Sequence, residues 1–217
     1  IDGVYQWIKN ISDRTNSGLV YETSNPYLAC SSDINYGLCP HMNFKCNAEN
    51  IAKTCNTFEY NGGKCVGLSN YPNVTISDYG SISGISPMQN EIIQNGPISC
   101  GLDDRDLLKY TSGILEQQTN INDINHVISV VGWNTININN RNLSYWIIRN
   151  SWGEYWGNMG FANIAFGSYL IEDQCVWAKV KDYSLENYPC LENGSNCIVE
   201  NNNSHTKKGN SKKTKNN

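Results

Sequence analysis

The sequence predicts an α+β fold: a helical, loop-rich and cysteine-rich N-terminal part leads into an antiparallel sheet or barrel. Three observations predict it. Helix-period apolar spacing is confined to one stretch at the N-terminus and one that opens at Ser86. Four short segments rich in β-branched and aromatic residues then follow one another between turn signals. Aromatics make up 11% of the 217 residues, with 6 Trp and 13 Tyr, which places the body among globular rather than disordered chains.

Taken in order, residues 3–12 set Val4, Trp7, Ile8 and Ile11 at i, i+3, i+4 and i+7, one face of a short helix. Residues 18–70 are loop-rich, punctuated by Asn25-Pro26, Tyr36-Gly37 and Gly62-Gly63, and disulfides are expected to stand in for a core there. Ser86-Pro87 opens a second helix carrying Met88, Ile92 and Ile93, and Asn95-Gly96-Pro97 stops it. The strand-like segments are Ile98–Leu102, Val127–Trp133, Tyr145–Arg149 and Gly160–Phe166. No internal repeat is visible. From about Tyr183 the chain becomes a tail, with Cys190 and Cys197 as a local clip.

The net charge of −4 hides an asymmetry. Residues 201–217 carry five Lys and no acid, and residues 1–200 carry −9. A body of that sign argues against nucleic-acid binding. The Asn/Ser/Gly-rich tail has almost nothing apolar to bury and reads as a solvated, disordered extension, with a basic arm as the lesser reading. No run approaches the roughly 20 apolar residues of a membrane helix. The sequence opens on Ile1 with no leader before it, so it is expected to be a processed product or a fragment.

Nine cysteines is heavy usage, and Cys30, Cys39, Cys46, Cys55 and Cys65 fall at spacings of 9, 7, 9 and 10. Zinc sites favour C-x2-C pairs and none occurs; with only three His, no metal or other cofactor is expected, and a zinc-dependent hydrolase fails on ligand spacing. Disulfides in an oxidising compartment fit better. Five sequons, at Asn10, Asn73, Asn142, Asn193 and Asn202, agree with a secretory lumen. An odd count leaves one cysteine without a partner in this chain.

The chemistry is expected around His126, at the head of the segment Asn125–Trp133, and Asn150, which follows the segment Tyr145–Arg149. Each alone has a bland reading: a satisfied His in a sheet, an Asn making a turn. Together they form a device. An imidazole acting as base needs its far nitrogen held so that the correct tautomer faces the nucleophile, and an amide oxygen does this without adding charge. Trp152, two residues on, can roof that bond, although tryptophans also serve as ordinary packing.

Asn125-His126-Val127 with Arg149-Asn150-Ser151-Trp152-Gly153-Glu154-x-Trp156-Gly157 resembles the C-terminal half of papain-family cysteine proteases, and within them the cathepsin X (cathepsin Z) branch. Supporting stretches are Asp78–Gly84, Asn95–Gly101, Tyr110–Ile114 and Ile171–Cys175, and the resemblance covers residues 1–182. It implies a papain-like two-domain α+β fold, N-terminally truncated: a left-domain remnant over 1–77, a β-barrel right domain over 78–182, and the tail over 183–217. It also implies that His126 is the base, Asn150 its orienting partner, Trp152 a shield lining the leaving-group side, and Asn125 part of the cleft wall. The family mechanism is acyl transfer from a peptide to a cysteine thiolate, followed by hydrolysis. The branch trims one residue from a substrate's C-terminus, so peptides or proteins are the expected partners and a lysosome or the secreted space the expected location.

The family's nucleophile motif lies about 130–150 residues upstream of its His, which from His126 falls before Ile1. Cys46, ahead of a weak helical stretch, belongs to the cysteine cluster, and Cys100 lies within a strand, so neither is read as a substitute. The resemblance pairs Cys30–Cys46, Cys55–Cys65 and Cys100–Cys175, with Cys190–Cys197 as local inference, and leaves Cys39 for a cysteine in a missing N-terminal half. The leading expectation is a cysteine-type carboxypeptidase that is inactive as this chain alone; the rival is a non-catalytic, disulfide-stapled binding module.

Overall fold

The computed structural model describes residues 1–15, 17–28, 45–55, 63–117 and 123–184. The expected roles of Cys30, Cys39, Cys190, Cys197, Asn193, Asn202 and the tail from 185 onward lie outside these residues.

Helix α1 (Asp2–Thr15) is longer than its apolar spacing predicts. It is also turned. Ile8 and Ser12 are the buried residues, whereas Val4 and Trp7 are exposed. The reason is a polar anchor: Ser12 Oγ donates to Ile8 O (2.8 Å) and accepts the Ile76 N–H (3.2 Å). A buried hydroxyl satisfied on both sides holds the Ile8/Ser12 stripe against the sheet. Strand β1 (Leu19–Val20), the one-turn helix α2 (Ala48–Ile51) and the hairpin of β2 (Lys53–Cys55) with β3 (Cys65–Gly67) complete this part. Asn47 caps α2 by accepting the Asn50 N–H.

Strand β4 (Asn73–Ile82) then runs through the expected 77/78 boundary. Helix α3 (Ile85–Asn95) forms where Ser86-Pro87 predicts it and ends at Gly96, whose N–H returns to Ile92 O. The remaining strands are β5 (Ile98–Leu102), β6 (Ile114–Leu115), β7 (His126–Ile138), β8 (Arg141–Arg149), β9 (Phe161–Ala165) and β10 (Cys175–Tyr183). They form one eight-stranded sheet in the order β1-β4-β10-β5-β7-β8-β9-β6, antiparallel except for β6 beside β9. The fold is therefore an α+β arrangement, a few helices on a large, mostly antiparallel sheet.

Two strands exceed their sequence signal. β7 and β8 continue past Trp133 as a long hairpin closed by Asn139 and Asn140, both left-handed (φ 50° and 62°). That is the backbone a two-residue hairpin turn demands and Asn tolerates. β10 carries Lys179, Lys181 and Asp182 and has no strand-like pattern, yet it pairs along β4 from Cys175–Ile82 to Tyr183–Val74. Pairing with a neighbour overrides a weak local pattern.

The core gathers on α3, β5, β7, β8 and β9 around Met88, Leu102, Val130, Trp146, Ile148 and Ile164. Trp146, fully buried, packs on Phe166 at 4.5 Å and on Trp133 at 6.2 Å. Its indole N–H donates to Glu172 Oε1 (2.8 Å), so the polar handle of a buried ring is satisfied.

Among the described residues, the disulfides Cys55–Cys65 and Cys100–Cys175 join direct register partners in β2/β3 and β5/β10, with Cα atoms 4.0 Å apart in each. Cys46 corrects the expected Cys30–Cys46 bridge: it is a free, exposed thiol. It sits in the bend before α2, outside the β2/β3 ladder that pairs Cys55 with Cys65. Replacing Cys100 and Cys175 together by Ala opens a cross-link spanning 75 residues. The expected loss is roughly 4 kcal/mol of unfolding free energy, read from urea titration; a loss under about 1 kcal/mol contradicts a stapling role.

Candidate active site

Strand pairing assembles the site. β7 and β8 are antiparallel neighbours from Ile138–Arg141 to Ser129–Arg149, with a register shift between Val130 and Gly132. His126 at the head of β7 and Asn150 just after β8 are thereby brought together, with His126 Nε2 at 2.8 Å from Asn150 Oδ1. β5 flanks the other side of β7, pairing Leu102 with His126.

The amide orientation is fixed by a second bond. Asn150 Oδ1 also accepts the Ser151 N–H (2.8 Å), which requires oxygen at this position. With oxygen facing it, His126 Nε2 must carry the proton. Nδ1 then holds the free lone pair, the basic nitrogen available to a reacting group. The backbone of Asn150 is pinned in turn, its N–H donating to Gly160 O (2.9 Å). Asn150 is 8% exposed, and its Nδ2 is buried without a hydrogen-bond partner among the described residues.

Aromatic rings cover the pair. Trp152 lies 5.0 Å from the imidazole, centroid to centroid, at 34°. Trp156 meets Trp152 edge-on at 5.3 Å, and Tyr110 meets Trp156 at 5.7 Å. The Trp156 indole N–H donates to Leu107 O (2.8 Å). This cover excludes water, which would compete for the His126–Asn150 bond. The loop that carries it turns at Gly157, where φ is 58° and a Cβ would come within 2.6 Å of Phe161 O; no other residue fits there.

Asn125 is exposed. Its N–H donates to Leu102 O (3.1 Å) and its Oδ1 accepts the Asp104 N–H (3.0 Å), so its side chain fastens the neighbouring segment. That segment holds residues the sequence reasoning missed. Asp103 has no exposed surface, and Arg105 grips it through Nε, Nη2 and its own backbone N–H. The Asp103 carboxyl lies just under the surface, screened by Arg105, which holds it below the usual carboxylate range. Its stabilising contribution is therefore complete above the ordinary carboxylate value and lost as pH falls through the lowered one. Tyr169, fully buried, donates to Asp106 Oδ2 (2.9 Å); burial first, then Asp106, pushes its phenol well above the ordinary value and keeps it a neutral donor. An Asp-x-Arg spacing directly after the predicted segment Ile98–Leu102 was the available signal.

Two substitutions test the dyad. Asn150→Ala should abolish protection of the His126 Nε2 proton against exchange. Asn150→Asp places a carboxylate on that nitrogen and should raise the imidazole pKa by about 1 unit or more, followed by NMR titration. An unmoved titration in Asn150→Asp contradicts the contact.

A family model described as papain family cysteine protease matches residues 2–213. Cathepsin Z of Onchocerca volvulus is 36% identical over 139 residues, 58% of this chain and 44% of that protein. Zingipain-2 of Zingiber officinale is 36% identical over 114 residues, 48% of each. Viral cathepsin of Heliothis zea nuclear polyhedrosis virus is 41% identical over 73 residues, 34% of this chain and 18% of that protein. In each case the match spans less than half the length of the relative. The matched model takes in every strand of the sheet and both members of the imidazole–amide pair, and the chain belongs to the papain family of cysteine proteases.

Proposed function

We propose that this chain carries the base half of a cysteine-peptidase site, with His126 as base, Asn150 as its orienting partner and Trp152 as cover and leaving-side wall. The observation that carries this reading is the bond from His126 Nε2 to an amide oxygen fixed by Ser151, because it leaves Nδ1 free to take a proton. In the proposed reaction Nδ1 receives the proton of a cysteine thiol, and the resulting thiolate attacks the peptide carbonyl. The imidazolium then protonates the departing amine, and a water deprotonated by the same nitrogen hydrolyses the thioester. Peptides or proteins are the substrates. The likeness to a cathepsin Z supports the finer reading of a carboxypeptidase of a lysosome or the secreted space.

Protein isolated from its native source should react with an epoxysuccinyl thiol probe at one cysteine and lose peptidase activity in step. Hydrolysis that persists in the unlabelled and labelled protein alike overturns the thiol mechanism. Paired fluorogenic peptides with a free or an amidated C-terminus test the finer claim: release of single C-terminal residues from the free-carboxyl peptide is expected, and equal cleavage of both removes it.

The sequons differ in their surroundings. Asn142 is exposed in β8, and its side-chain oxygen accepts from Asn137 Nδ2 (2.7 Å). Asn73 is half-buried, and its Nδ2, the atom that would take a sugar, donates to Tyr71 O (3.0 Å). Glycan mapping of secreted protein should find Asn142 occupied and Asn73 bare; the reverse pattern contradicts a lumenal glycoprotein with this fold.

A further inference from the structure

The segment 102–110 is fastened at both ends to neighbours of the dyad. At its start, Leu102 is the register partner of His126 and accepts the Asn125 N–H, while the Asp104 N–H goes to Asn125 Oδ1. At its end, Leu107 O accepts from Trp156, and Tyr110 packs on Trp156, whose ring supports Trp152 over the imidazole. Between Leu102 and Asp104 sits Asp103, a carboxylate without exposed surface whose backbone N–H donates to Tyr169 O (3.1 Å). Its partner Arg105 is 58% exposed and touches it through three donors, two residues away in the chain.

A covered carboxylate beside the dyad is costly unless paired. Arg105 supplies that pairing with a positive charge two residues along the chain, and its backbone N–H joins the same carboxylate, which ties down the backbone of 103–105. The fixed backbone is the one that presents the Asp104 N–H to Asn125 and the Leu102 carbonyl to the same residue, immediately before His126. We propose that the Asp103–Arg105 ion pair is a positioning device for His126, holding the chain opposite the imidazole so that the His126–Asn150 bond is formed before any substrate arrives. Arg105 is a positioning residue, acting through Asp103, Asp104 and Asn125. This gives the proposed base a named support, and in that respect it rests on the reading of His126 above.

The test reads the imidazole itself, so it stands whether or not the protein hydrolyses peptides. In this chain labelled with 15N-histidine, the His126 Nε2 proton is followed by exchange with water and by the ring-nitrogen shifts that report the tautomer. Arg105→Ala should speed exchange at least tenfold and mix the tautomers. Arg105→Lys, which keeps the charge, should stay within about threefold of the parent, a rescue that simple destabilisation would not show. A well-folded Arg105→Ala chain with exchange within twofold of the parent overturns the proposal, as does Arg105→Lys matching Arg105→Ala. Where Arg105→Ala fails to fold by near-ultraviolet circular dichroism, Arg105→Gln replaces it. A threefold or larger effect is then expected, and one below twofold overturns the proposal.

Discussion

The pairing of β7 with β8 is the constraint on which the site depends. Nine backbone partner pairs run from the Asn139–Asn140 turn to Ser129–Arg149. A slip of one residue along that ladder would turn the buried set of the strand that moved, Val130 on β7 or Trp146 and Ile148 on β8, out of the core and move its neighbours inward. The same slip would carry His126 and Asn150 out of hydrogen-bonding distance. Burial of those three side chains, each with no exposed surface, therefore fixes the imidazole–amide geometry as a by-product of fixing the core. The register shift between Val130 and Gly132 is the local adjustment that lets the core register and the dyad register coexist.

Asn150 is held on several sides. It is tied by its backbone to Gly160 and by its oxygen to Ser151 and His126, while its Nδ2 is buried without a partner among the described residues. An unsatisfied buried donor costs about 1–3 kcal/mol. The arrangement tolerates this because the amide presents an oxygen to the imidazole without adding a charge, whereas a carboxylate in its place would raise the affinity of the ring for a proton. A local cost of this kind is offset by packing in the surrounding sheet.

The cysteines follow the same logic of register. Cys55 and Cys65 face each other across a hairpin, and Cys100 and Cys175 across β5 and β10, where β10 is drawn in by its long pairing with β4. Each bridge locks a pairing that already exists. Cys46 lies in a bend, in a groove lined by Trp7, Ile11, Leu19, Ile51 and Tyr71, and remains a thiol. Sequence spacing among five clustered cysteines could not sort these cases, because connectivity depends on which strands become neighbours.

By itself the sequence determined the α+β class, α3 with its Gly96 stop, the inner strands, and the identity of the imidazole–amide pair with its tryptophan cover. These are legible because local periodicity, turn chemistry and hydrogen-bonding capacity reside in consecutive residues. Tertiary structure decided which face of α1 is buried, since Ser12 finds Ile76 only once β4 is in place. It made a strand of residues 175–183, whose charges conceal it, and carried the hairpin beyond Trp133 into an asparagine-rich stretch that reads as loop. It also chose the disulfide partners and set Leu102, the residue before Asp103, opposite His126. All of these are contacts between residues distant in sequence, or between neighbours whose meaning depends on such a contact. Their free energy comes from burial and pairing that exist only after the sheet has closed on its core.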